Sequence, residues 1–96
     1  MRKGRKRKPY TAIDVVDLFC GIGGLSYGMK SKGFHICGGF DIDKTCRFAY
    51  EYNNSAPFFY RNVTEVTKRD IKPLYEEGAV RILAGCAPCQ PFSSYA

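Results

Sequence analysis

The sequence predicts an α/β chain whose strands are parallel and doubly wound. Three observations carry that expectation. Apolar, β-branched runs of strand length alternate with segments of helical period. Glycines stand where a strand would hand over to a helix, at 21, 23 and 24. The order of the segments, four strands alternating with three helices without a repeat, calls for crossover connections, and these are right-handed in parallel sheets.

Ala12–Phe19 opens the series and is nearly continuously apolar from Val15, the pattern of a strand covered on both faces. Cys20–Gly24 breaks it. Leu25 and Met29, four apart, give a short helix an apolar stripe, and Gly33 stops that helix. Phe34–Phe40 reads as a second strand, weakened by Gly38 and Gly39. Asp43 is placed to cap a helix over Lys44–Asn53, with Cys46, Ala49 and Tyr50 facing inward. Pro57 leads into a short third strand, Phe58–Tyr60. A helix is expected from Thr64 through Lys72, interrupted or restarted by Pro73. Val80–Ala84 is a fourth strand after the Gly78 turn, and Gly85–Ala96 has the composition of a loop.

Composition divides the chain. Six of its 15 basic residues lie within the first eight positions, and the other nine balance the nine acids, so the net charge of +6 belongs to an arm. Residues 1–10 are therefore expected to be a disordered basic arm, and residues 11–96 one folded body. The arm is open to three readings: contacts to phosphates, a nuclear address, or a solvated tail. A length of 96 residues excludes two full domains. No apolar run approaches the roughly 20 residues that span a bilayer, so no membrane partner is expected, and no secretory leader is visible at the N-terminus.

Five cysteines, an odd number, fit a reducing compartment better than a disulfide scaffold. Cys86 and Cys89 form a single C-x-x-C. A closed zinc site built on it would have to borrow Cys20, Cys37, Cys46 or His35. A thioredoxin-like redox pair is the weaker reading, because Pro88 lies within the motif and Pro91 just beyond it.

Two loops hold the candidate chemistry, both at carboxyl ends of strands, where ligands bind in such sheets. In Cys20-Gly21-Ile22-Gly23-Gly24 the glycines let a ligand approach the backbone closely. About 20 residues on, Asp41 is placed to bind ribose hydroxyls of a nucleoside-containing cofactor. Asp43 serves equally well as a plain helix cap. In Gly85-Cys86-Ala87-Pro88-Cys89-Gln90-Pro91-Phe92-Ser93 two prolines stiffen a loop that presents a thiol, a candidate nucleophile. The bland alternative is that these cysteines are small buried residues.

DLFCGIGGLS at Asp17–Ser26, FDID at Phe40–Asp43 and GCAPCQPFSS at Gly85–Ser94 resemble the first, second and fourth motifs of DNA cytosine-5 methyltransferases. They stand in family order, and the resemblance extends over Ile13–Ala96. It implies a Rossmann-like sheet that binds S-adenosyl-L-methionine, truncated here to about four parallel strands. Phe19, Cys20, Gly21, Ile22, Gly23 and Gly24 would line that cofactor, with Asp41 on the ribose and Ile42 against the adenine. Pro88 would contact it from the second loop. The third family motif places an acid near the adenine amino group; here Asn62 stands at that position.

The resemblance makes Cys89 the nucleophile, with Gln90 and Ser93 touching the substrate. Its thiolate would add to C6 of a cytosine flipped out of DNA, making C5 nucleophilic enough to take a methyl group; loss of the C5 proton and of the thiol restores the ring. Family motifs that carry the acid for the base and the target-recognition region are not among these 96 residues. The chain is therefore expected to be inactive alone, as part of an enzyme completed by the remaining polypeptide or a complementing subunit. The setting implied is a restriction-modification system in a bacterial cytoplasm, or a nucleus if the source is eukaryotic. The rival reading is a non-catalytic fragment that binds S-adenosyl-L-methionine or docks a partner.

Overall fold

The computed structural model of the protein describes residues 12–85. The basic arm and the Cys86–Ser93 loop, with Pro88, Cys89, Gln90 and Ser93, lie outside the described residues.

Four parallel strands form one sheet: β1 (Ile13–Leu18), β2 (His35–Asp41), β3 (Phe58–Tyr60) and β4 (Val80–Gly85), in the spatial order β3-β2-β1-β4. Strand order reverses between β1 and β4, and the carboxyl ends of strands at such a reversal are where doubly wound sheets bind ligands. Val15 and Val16 are both fully buried and point to opposite faces. Val15 packs with Ile36, Tyr50, Ala56 and Phe58 on one side. Val16 packs with Cys37 and Phe40 on the other, under Phe59, Val66, Ile71 and Leu74. A continuous apolar strand covered on both faces was the expectation for β1, and its core positions meet it.

Helix α1 (Gly24–Ser31) ends as its glycine predicts. Gly33 takes φ 94°, its N–H reaches the Lys30 carbonyl, and the Phe34 N–H reaches back to the Met29 carbonyl, the paired bonds of a Schellman cap. The inward residue of the helix is a correction. Leu25 is 43% exposed, Met29 is only partly covered, and Ser26 is the residue fully buried. The reason lies beneath it: β1 carries Asp17, 1% exposed, and a buried carboxyl needs a hydrogen-bond donor more than it needs another methyl group.

The second helical segment is also divided. Asp43 does cap it, accepting from the Thr45 N–H and hydroxyl, but the cap starts a 3-10 turn over Lys44–Cys46. Helix α2 (Arg47–Asn54) follows directly, with Tyr50 and Asn54 buried. The single helix expected over Thr64–Lys72 is three short turns: a 3-10 turn at Val63–Glu65, helix α3 (Lys68–Ile71) and a 3-10 turn at Lys72–Leu74. Each has its own start signal. Asn62 caps the first turn, a Thr67–Asp70 capping box starts α3, and the backbone of Val66 between them is extended, so no continuous helix forms.

Candidate cofactor site

The chain leaves β1 through a turn that only special residues tolerate. Phe19, Gly21 and Gly23 have φ of 56°, 53° and 92°. Left-handed backbone costs glycine little, whereas at Phe19 it costs roughly 1–2 kcal/mol. The turn is held by the Cys20 N–H on the Phe40 carbonyl (3.0 Å) and the Gly23 N–H on the Cys20 carbonyl (2.8 Å). The glycines differ in what they allow. A Cβ on Gly23 would collide with the Asn54 amide and the Tyr50 ring, so Gly23 lets α2 close under the turn. A Cβ on Gly21 or on Gly24 would meet nothing within 4 Å. That open space is where a ligand can approach the backbone.

Asp41 ends β2 and ties three loops together. Its Oδ2 accepts the Gly21 N–H at 2.8 Å and its Oδ1 accepts the Asp43 N–H at 2.9 Å. Its main-chain carbonyl accepts the Arg61 N–H at 3.0 Å, fixing the exit from β3. Each carboxylate oxygen keeps further acceptor capacity for a hydroxyl. Ile22 and Ile42, on the loops after β1 and β2, are 60% and 61% exposed, an unusual exposure for branched apolar residues at the rim of a site. Asn62 stands at the start of the loop after β3. Its Oδ1 accepts from the Thr64 N–H and the Thr64 hydroxyl, which fixes the amide orientation and turns the NH2 group away from Thr64.

Beneath the turn lies a buried polar chain that the sequence reading missed. The Ser26 hydroxyl donates to Asp17 Oδ2 at 2.6 Å and stands 2.9 Å from the Tyr50 hydroxyl. Since its single proton goes to the carboxylate, Tyr50 is the donor in the second bond. Asn54 Nδ2 donates to the Gly23 carbonyl (3.3 Å) and the Tyr50 carbonyl (3.1 Å). Burial pushes the Asp17 carboxyl above its usual range, the Ser26 hydrogen bonds oppose that, and the Asp41 charge adds to the rise. Burial, with Asp17 and Asp41 adding, pushes the Cys20 thiol up. Cys20 is thus a neutral packing residue under the turn, not a nucleophile. The signal for this chain was present in Asp17 itself, a charge within an apolar strand.

Of the expected site residues, the structure therefore gathers Phe19, Cys20, Gly21, Gly23, Gly24 and Asp41 at the carboxyl edge of β1 and β2. Ile22 and Ile42 are exposed on the same edge, and Asn62 is at the end of β3. Gly85, at the end of β4, pairs with Leu18 and abuts its carbonyl so closely that a Cβ there would clash.

A glycine turn at a strand-order reversal, clamped by an acid from the adjacent strand, is the arrangement at which sheets of the doubly wound class bind nucleotide cofactors. The sequence model of the C-5 cytosine-specific DNA methylases matches residues 13–96, and the chain belongs to that family. It is 47% identical over 81 residues to the type II methylase M.HgiDII of Herpetosiphon aurantiacus, a match covering 84% of this chain and 23% of that protein. The type II methyltransferase M.HindV of Haemophilus influenzae is 34% identical over 82 residues, covering 85% of this chain and 26% of its own. In structure the chain resembles a mutant DNMT2 of Spodoptera frugiperda, with a TM-score of 0.67 and 26% identity over 84% of this chain and 24% of the other. The chain thus spans about a quarter of the length of these relatives. No helix among the described residues is long and apolar enough to cross a membrane.

Proposed function

We propose that the chain is the cofactor-binding part of a DNA cytosine-5 methyltransferase, with Cys89 as its nucleophile. The observation that carries this reading is the clamp of Asp41 on Gly21 beside open space over the glycine turn. S-adenosyl-L-methionine supplies the methyl group when bound. The residues present suit it: the turn at Phe19–Gly24 admits a close approach, Asp41 retains acceptors for ribose hydroxyls, and exposed Ile42 offers an apolar face to the adenine. Asn62 contributes its amide NH2, a donor suited to a ring nitrogen of the adenine, because its oxygen is held by Thr64.

Cys89 lies four residues beyond Gly85, whose strand end sits against Leu18 at the entrance to the turn. Within the proposal, Pro88 stiffens that segment against the cofactor, and the Cys89 thiolate adds to C6 of a flipped-out cytosine. The added electron density makes C5 the attacking atom; after methylation the C5 proton and the thiolate leave. Gln90 and Ser93 hold the base. Residues 11–96 are the beginning of the catalytic domain and residues 1–10 an arm before it. The remaining polypeptide, in one chain or a complementing subunit, supplies the rest of the DNA site. We place this enzyme in a restriction-modification system of a bacterial cytoplasm, the setting that the names of its type II relatives suggest.

The test is covalent trapping. The chain is combined with the rest of its enzyme, S-adenosyl-L-methionine and an oligonucleotide in which 5-fluorocytosine replaces the target base. A protein–DNA adduct that survives denaturation is expected. It should vanish in Cys89→Ser and persist in Cys86→Ser. Cofactor binding without any adduct would replace this reading with that of a binding fragment.

A further inference from the structure

The opposite edge of the sheet, at the amino ends of β1 and β2, holds a second cluster that methyl transfer does not use. Asp14 of β1 is fully buried, and Cys37 of β2 is 7% exposed. His35 lies between them, its Nδ1 3.4 Å from Asp14 Oδ1 and 3.6 Å from Cys37 Sγ. Strand pairing produces this convergence: Asp14 pairs with His35, and Cys37, two residues on along β2, shares the His35 face. Val15 pairs with Ile36 but Val16 pairs with Gly38, so Cys37 is the extra residue of β2.

The geometry is not that of a catalytic relay. In a Cys-His-Asp relay the thiol and the carboxyl engage different ring nitrogens. Here both approach Nδ1, and one N–H can be given to only one of them at a time. Three different donor types converging on a common point suit a cation instead. The three donor atoms all lie within 4.8 Å of one another. Tetrahedral zinc, with bonds of about 2.0–2.1 Å to nitrogen or oxygen and about 2.3 Å to sulfur, needs donor atoms about 3.3–3.6 Å apart. Two of the three separations already have those values.

We infer that Asp14, His35 and Cys37 form a zinc site with three protein ligands and one open position. The donor set selects the metal: a thiolate and an imidazole favour zinc and disfavour calcium or magnesium, which take oxygen. Charge balances within the buried site, since a carboxylate and a thiolate neutralise the dication. On binding, the Cys37 thiol releases its proton to water, and neutral His35 binds through Nδ1 with its proton on Nε2. A cavity of about 600 Å³, lined by His35, Cys37, Tyr75 and Glu76 among others, leaves the fourth position to water. The Asp14 carboxylate is oriented from behind, its Oδ2 accepting the Glu76 N–H at 2.8 Å. The ion would pin β1 to β2 at the end of the sheet remote from the cofactor turn, so the inference does not depend on the proposed activity.

The experiment uses the full 96-residue chain carrying Cys86→Ser and Cys89→Ser, which removes the C-x-x-C pair as a competitor. Zinc is titrated against a chromogenic chelator, and cobalt is substituted as a spectroscopic probe. One zinc per chain is expected, with a Cys37-dependent thiolate-to-cobalt charge-transfer band and a rise in Tm on adding zinc. His35→Gln, at a half-exposed position that tolerates the change, should weaken binding more than about 100-fold, beyond the 10–100-fold typical of losing an outer partner of a ligand. Cys37→Ser should abolish the cobalt band. Absence of stoichiometric zinc in the Cys86→Ser/Cys89→Ser chain, or affinity unchanged in His35→Gln, overturns the inference and leaves the cluster a proton-sharing pair beside a buried thiol.

Discussion

The Asp41 carboxylate accepts the Gly21 N–H at 2.8 Å across twenty residues of sequence, and this one bond aligns the loop after β1 with the end of β2. Its other oxygen is held by the Asp43 N–H. Replacing Asp41 by Asn sets an NH2 group against one of two backbone donors. One hydrogen bond is lost and one N–H is left facing a donor, costing about 1–3 kcal/mol. Amide exchange at Gly21 or Asp43 is expected to accelerate in Asp41→Asn, and isothermal titration of the completed enzyme should show weaker S-adenosyl-L-methionine binding.

Gly21 and Gly23 should fail in different ways. Gly23→Ala combines a φ of 92° with a collision against Tyr50 and Asn54. Strain and overpacking together predict a loss of roughly 2–4 kcal/mol, visible in urea denaturation. Gly21→Ala carries the φ cost alone, about 1 kcal/mol, because its Cβ would enter open space. It is expected to fold and to lose cofactor affinity, since the methyl occupies the surface a ligand would approach. Equal stabilities for the two variants would contradict the packing argument.

Asp17 gives the protein a pH dependence of definite sign. Its folded pKa is raised by burial from an ordinary 3.8, so between pH 3.8 and that raised value the folded state holds a proton that the unfolded state has released. Stability contributed by this group therefore falls as pH rises from about the unfolded pKa through the folded one. Asp17→Asn keeps an acceptor for Ser26 and does not titrate. Thermal melts at a series of pH values should show a smaller acid-to-neutral decline in Asp17→Asn than in the parent. Ser26→Ala removes the hydroxyl hydrogen bond that helps hold the pKa down, leaves the Ser26 backbone bond in place, and should carry the decline to higher pH.

Asn62 separates capping from ligand contact. Asp and Asn are about equally good at starting a helical turn, so Asn62→Asp should change the stability by no more than about 0.5 kcal/mol. It replaces the NH2 donor with an acceptor, so its effect belongs in cofactor affinity. Unchanged affinity in Asn62→Asp would assign Asn62 to capping alone.

Much of this was legible in the sequence, for physical reasons that differ by element. Val15 and Val16 announce a strand covered on both faces because no helix of that length would bury both neighbours. Gly33 stops α1 because its left-handed φ suits glycine, and Asp43 caps because its side chain reaches the Thr45 N–H. Ser26 was hidden by a rule that reads apolar residues as inward, when Asp17 required a hydroxyl there. The broken third helix was hidden because the Asn62 and Thr67 caps compete locally with continuation. The meeting of Asp14, His35 and Cys37 depends on the pairing of Asp14 with His35 across two strands, which no single segment of sequence encodes. At the candidate site, the glycines and Asp41 were readable as motifs, while the bond joining them and the polar chain below are tertiary facts.

Gly38 and Gly39 sit side by side in β2, and added methyl groups there would strike Phe59 and Pro57 on one face, Tyr50 and Cys20 on the other. Glycine favours a strand weakly and gives up much backbone entropy in joining one. β2 therefore has little reason to form until α2 and β3 arrive to cover it. Its assembly should be coupled to theirs, a late and cooperative step in folding. The strand that ends in Asp41 would then be fixed only when its coverings are, so the cofactor clamp and the core become ordered together.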